Sequence, residues 1–175
     1  MRIFHVSADS CLSVVTPRLQ ADFDAFTPGV FAVDEEHLFA FLVPADCPRV
    51  CYTHEAQTSE ADRMRFFSSP SHTKAMVIED GWFSLIRDAE LWLYECDPSA
   101  FTPIGSAQGV YRSDEAVTPI AKYQVGDCFS ELFMRDVELR VVNNLRAIAE
   151  DVERSTLGRL ALCINNAREG DTSWF

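Results

Sequence analysis

Glu90-Leu91-Trp92-Leu93-Tyr94-Glu95-Cys96 alternates along its length, with Leu91, Leu93 and Glu95 opposing Trp92, Tyr94 and Cys96. Successive side chains of a strand point to opposite faces, so this spacing predicts a strand with two distinct faces. Working outward, residues 74–79 read as another strand and 82–87 as a short helix. Further back, residues 2–7 form a first strand: Phe4 and Val6 share one face, and Ile3, His5 and Ser7 share the other. Residues 14–18 are extended up to a proline. Residues 19–29 are polar and end in Pro28-Gly29, which predicts a loop. Residues 30–33 make a second strand. Residues 38–43 are a strand or a short buried helix, stopped by Pro44, and residues 50–52 are extended.

The other direction is similar. Residues 101–104, 110–113 and 116–124 read as extended. Asp127 caps a short helix that runs through Met134. Residues 137–142, rich in β-branched side chains, predict a strand. Asn143 then caps the clearest helix, in which Leu145, Ile148, Ala149 and Val152 follow the 3.6-residue period. Residues 159–164 give a final strand, and residues 167–175 read as a frayed tail. About eight strands with short helices between them, and no regular βαβ alternation, predict an α+β fold of mixed, mostly antiparallel sheet. A single domain over 1–175 is expected, with a mobile loop around residues 53–73 carrying a short helix near 60–67.

Composition limits the function. The chain has 175 residues, is 47% hydrophobic and carries a net charge of −12, enough apolar material for a core of its own. A field of that sign repels phosphate backbones and anionic lipid, which disfavours a general nucleic-acid binder. The opening Met1-Arg2-Ile3-Phe4-His5 has no long apolar segment of a secretory signal. No run approaches the length of a membrane span. Six cysteines sit singly in mostly apolar runs, so reduced thiols and a cytoplasmic location are expected.

A few polar residues stand out. His5 lies mid-strand, where its ring either lines a cleft or is satisfied by a backbone carbonyl. Cys47, Cys51 and His54 follow a C-x3-C-x2-H spacing within the range of zinc ligands, but no second pair follows, and no metal is expected. Glu138 and Arg140 share one face of their strand, either as site residues or as a solvated charged pair. Arg18, Tyr111 and Arg112 add polar groups on extended segments. There is no Gly-rich phosphate loop, no G-x-S-x-G elbow and no H-E-x-x-H.

Phe4-His5-Val6-Ser7, Thr16-Pro17-Arg18, Val30-Phe31-Ala32-Val33, Asp46-Cys47-Pro48-Arg49-Val50 and Glu138-Leu139-Arg140 together resemble a bacterial family of uncharacterised proteins of about this size. More distantly, His5-Val6-Ser7 resembles the opening strand of ADP-ribosyltransferase-like folds. That second resemblance implies an enzyme acting on NAD, or a related nucleotide, as substrate. It implies His5 on the nicotinamide ribose and Glu138 stabilising the positive charge that develops there as the glycosidic bond breaks. Arg18 and Arg49 would neutralise the pyrophosphate. Tyr52 would stack on the nicotinamide, with Phe31, Phe39 and Tyr111 as the other candidates. Arg140, two residues after Glu138, completes the set. The competing expectation is a non-catalytic binding or interaction domain in which the same residues hold loops in place. The enzyme reading requires His5, Arg49 and Glu138 to meet around one ligand-sized hollow.

Overall fold

The structure, a computed structural model, describes residues 1–105 and 107–169, apart from the side chains of residues 24–26. Its strands in chain order are β1 (Ile3–Ser7), β2 (Arg18–Gln20), β3 (Asp24–Asp34), β4 (Arg49–Thr53), β5 (Lys74–Glu79), β6 (Leu91–Cys96), β7 (Thr102–Pro103), β8 (Val110–Ser113), β9 (Ala121–Val125), β10 (Val137–Val142) and β11 (Gly158–Leu162). The α-helices are α1 (Glu60–Phe66), α2 (Phe83–Arg87), α3 (Cys128–Met134) and α4 (Arg146–Glu153). Mostly antiparallel sheet with short helices is the α+β architecture that the alternation predicts. Among the described residues, no helix is long and apolar enough to cross a membrane.

The chain forms two compact units, each assembled from two separate segments. The first comprises Met1–Ala45 and Asp88–Glu131. Its sheet is antiparallel throughout, in the order β7-β8-β3-β1-β6-β9, with β2 paired to β3. The alternating stretch Leu91–Cys96 is β6, and β1 pairs with it along its full length from Ile3↔Cys96 to Ser7↔Trp92. Ile3, Val15, Val30, Ala32, Cys96, Phe101 and Val117 make an apolar cluster on one face.

Residues 19–29 are not the loop their polarity suggests, because β2 and the first half of β3 form a hairpin there. Pro28 lies just before β3 exchanges β2, paired at Arg18↔Gly29, for β8, paired from Val30↔Ser113. A proline without an N–H is tolerated where a strand has a free edge or a bulge, and a register shift does separate Arg18 from Gln20. Gly109, at φ +72°, begins the turn into β8, and a Cβ there would meet the His37 ring. Residues 38–43 resolve as a short 3-10 helix, Leu38–Phe41, rather than a strand.

The second unit comprises Asp46–Arg87 and Leu132–Phe175. Its four-stranded sheet runs β10-β5-β4-β11, parallel between β10 and β5 and antiparallel elsewhere. Val50, Tyr52, Ala75 and Val77 on one face of the sheet cluster with Phe66 and Phe67 from the end of α1 and with Leu145 and Val152 from the α4 segment. Each large side chain buried this way contributes about 1.5–3 kcal/mol. The periodic residues Ile148, Ala149 and Val152 form the inward stripe of α4, as their spacing predicts.

Helix α4 begins at Arg146, later than a cap at Asn143 would place it. The reason is a side chain from β5: Glu79 accepts the Leu145 N–H, while Asn144 Oδ1 accepts the Arg146 N–H. The tail also departs from expectation at its start. Ala167 is buried, and the Arg168 N–H donates to Glu79. Residues 170–175, the remainder of the expected frayed end, lie outside the described residues.

Candidate functional site

In the first unit, His5 is held by its backbone neighbours. Its Nδ1 lies 2.9 Å from the Phe31 carbonyl oxygen. A carbonyl can only accept, so Nδ1 carries the proton and a neutral ring leaves Nε2 as an acceptor. Burial lowers its pKa from 6.5; the Phe31 contact opposes that shift, and the charge of Arg18 adds to it. Arg18 is exposed at the start of β2. Tyr111 is half-buried against the apolar cluster, and its hydroxyl donates to Met1 Sδ at 3.2 Å. Arg112 Nη2 donates to the Pro28 carbonyl and pairs with Asp114.

In the second unit, the pleat of the sheet decides which residues meet. Glu138 aligns with Ala75, Ala75 with Tyr52 and Tyr52 with Arg159, so these four share one face. Val141, Ile78, Arg49 and Leu162 align in the same way. Arg49 and Tyr52 are three positions apart on β4, an odd number, so they leave the sheet on opposite faces. Glu138 therefore goes with Tyr52 and away from Arg49. The expectation that Arg49 and Glu138 converge on one hollow is corrected here, and the cause is the two-residue period of a strand.

Arg49 is only 3% exposed, and its Nη1 donates to the Cys47 carbonyl at 2.7 Å. Tyr52 is 1% exposed, and its hydroxyl donates to the Phe66 carbonyl at 2.8 Å. Phe66 and Phe67 meet its ring edge-on, with centroids 5.8 and 5.3 Å away. Burial pushes the phenol up to about 12. In this arrangement the Tyr52 ring belongs to the core. Glu138 accepts the Ser68 N–H at 3.0 Å and the Arg140 Nε–H at 2.7 Å. Burial alone would raise its pKa, but Ser68 and Arg140 together outweigh it and hold the carboxyl below the usual 4.5. Tyr52, Glu138 and Arg140 are thus brought to one face of one sheet. His5, Arg18 and Tyr111 belong to the first unit.

Cys47 and Cys51 are not arranged for thiolate chemistry. Burial pushes Cys47 and Cys51 each up to about 12, against the opposing charge of Arg49. A thiol that holds its proton is a poor nucleophile. Among the described residues, no three His, Cys, Asp or Glu side chains are grouped to hold a metal ion, so Cys47, Cys51 and His54 do not form the zinc set that their spacing suggests.

Sequence reading passed over Glu79. It is 2% exposed, and its carboxylate accepts backbone N–H groups from Leu145 and Arg168, both at 3.1 Å. It ties the end of β5 to the start of α4 and to the C-terminal segment. The signal was a lone acid closing the apolar run Ala75-Met76-Val77-Ile78.

The model of a family of unknown function, DUF6886, matches residues 4–167. The chain belongs to that family. The match with DUF6886 takes in residues of both units, and with them His5, Arg18, Arg49, Tyr52, Glu79, Tyr111, Glu138 and Arg140. Comparison with curated proteins and with solved structures finds no match.

Proposed function

We propose that this DUF6886 chain is a non-catalytic binding or interaction domain, in which the conspicuous polar residues hold backbone rather than a ligand. The observation that carries the reading is the placement of Arg49 and Glu138 on opposite faces of one sheet. A phosphate clamp and a carboxylate serving one nucleotide need to share a face. His5, Arg49, Tyr52 and Glu138 also each close on a main-chain group: Phe31 O, Cys47 O, Phe66 O and Ser68 N. The test is thermal unfolding with and without millimolar NAD. The expected result is no shift, with His5→Ala lowering the melting temperature equally in both conditions.

The alternative is an ADP-ribosyltransferase-like enzyme acting on NAD. It is favoured by the charge of Arg18 acting on His5, and by Tyr52, Glu138 and Arg140 sharing a face. Ligand at 100 times its Kd adds about 2.7 kcal/mol to stability. A rise of that order with NAD, abolished by Glu138→Gln, would restore the enzyme and end the binding-domain reading.

A further inference from the structure

The sheet of the second unit ends on one side at β10, which among the described residues has β5 as its one strand neighbour. Its six residues pair in continuous register from Val137↔Lys74 to Val142↔Glu79. Among the described residues, no loop or strand backbone hydrogen-bonds to its other side. An edge of this kind carries a row of unpaired N–H and C=O groups, and proteins usually blunt it with proline, lysine, a bulge or short length. The other sheet ends have such features. Strand β7 has two residues, one of them Pro103; β9 presents exposed Lys122; β11 contains Gly158 and Arg159. Strand β10 has no proline, glycine, lysine or bulge; its two charges, Glu138 and Arg140, pair with each other, and its other four residues are Val or Leu. Val141 is 46% exposed, and exposed Phe133 and Met134 lead into the strand.

The sequence of β10 also states which partner fits. Val137-Glu138-Leu139-Arg140-Val141 is complementary to itself about Leu139 when a second copy runs antiparallel. Glu138 then faces Arg140 of the second copy, Arg140 faces its Glu138, and Val137 faces its Val141. Opposite charges directly across a strand pair stabilise it and like charges destabilise it. Moving the centre to Glu138 or Arg140 sets like charges against each other, and so does a parallel, in-register arrangement. Of the antiparallel registers centred on Glu138, Leu139 or Arg140, the one about Leu139 is the one that sets opposite charges across the pair.

We infer that the outer edge of β10 is a self-association site, where a second copy of this chain adds its own β10 antiparallel about Leu139 and joins two four-stranded sheets into one. The inference deepens the proposed interaction role and rests on it. Each Glu138 keeps its own Arg140 and gains that of the second copy, so the charged pair fixes the register of the interface.

The experiment is sedimentation velocity on the full chain over a range of micromolar concentrations. A concentration-dependent dimer is expected. Val141→Lys, at a position exposed enough to tolerate it, sets a charge opposite Val137 twice per dimer and should weaken association by about tenfold or more. Glu138→Arg alone and Arg140→Glu alone each set like charges across the interface and should be monomeric. Mixed together, those two variants should form a heterodimer, because each supplies the charge the other lacks. A wild-type monomer throughout overturns the inference, as does a dimer indifferent to Val141→Lys. A monomer that also ignores NAD overturns self-association while leaving the binding-domain reading in place. NAD-dependent stabilisation overturns that reading whatever the assembly state.

Discussion

Replacing Glu79 with alanine tests the tertiary connection that the sequence least advertises. Its carboxylate accepts the Leu145 N–H at 3.1 Å and the Arg168 N–H at 3.1 and 3.2 Å. Leu145 is fully buried, so no water replaces the lost acceptor at that position, whereas Arg168 lies near the surface and water reaches it. A buried donor left unsatisfied costs about 1–3 kcal/mol, with Leu145 toward the upper end and Arg168 toward the lower. Glu79→Ala should therefore lose about 3 kcal/mol, a large part of the 5–15 kcal/mol typical of a folded protein. Oε1 accepts from both donors and Oε2 only from Arg168, so Glu79→Gln, which keeps the volume and can keep an oxygen at the Oε1 position, should lose clearly less than Glu79→Ala. Urea unfolding should show a lowered midpoint with an unchanged slope, since the surface exposed on unfolding is the same. Amide exchange at Leu145 should accelerate in step. A Glu79→Ala variant within about 0.5 kcal/mol of wild type would refute the reasoning, because surface substitutions alone give that little.

Two further outcomes follow from the first unit. The imidazole of His5 titrates below its ordinary 6.5 in the folded chain, first because it is buried. Below 6.5 the unfolded chain takes up that proton before the folded one, so this contribution is complete above 6.5 and is lost as pH falls through the lower folded value. As pH falls below 6.5, the melting temperature of wild type should decline more steeply than that of His5→Gln, and equal slopes would remove His5 as the cause. Gly109→Ala should destabilise by about 1–3 kcal/mol, because φ is +72° there and the added carbon meets the His37 ring, and an unchanged unfolding midpoint would contradict the turn geometry.

Local pattern determined much of this protein. The alternation of β6, the β-branched run of β10 and the 3.6-residue stripe of α4 each report which side of an element is apolar, and that is settled by neighbours within a few residues. An antiparallel-rich α+β fold and the shared face of Glu138 and Arg140 follow from the same local rule. Pairing is different, because it depends on residues far apart in the chain. The sequence did not show that residues 19–29 pair as a hairpin across Pro28, since β2 and β8 supply partners that no local window contains.

The site residues were decided almost wholly by tertiary structure. That His5 ends on Phe31 O, Tyr52 on Phe66 O and Glu138 on Ser68 N was open from composition and spacing, because a polar side chain on a strand serves a ligand or a backbone group equally well. Only the register of β10, β5 and β4 placed Arg49 and Glu138 on opposite faces. A shift of one residue in either pairing would have put them together. Side-chain direction reverses at every residue of a strand, so register converts a distant hydrogen-bonding choice into the presence or absence of a site.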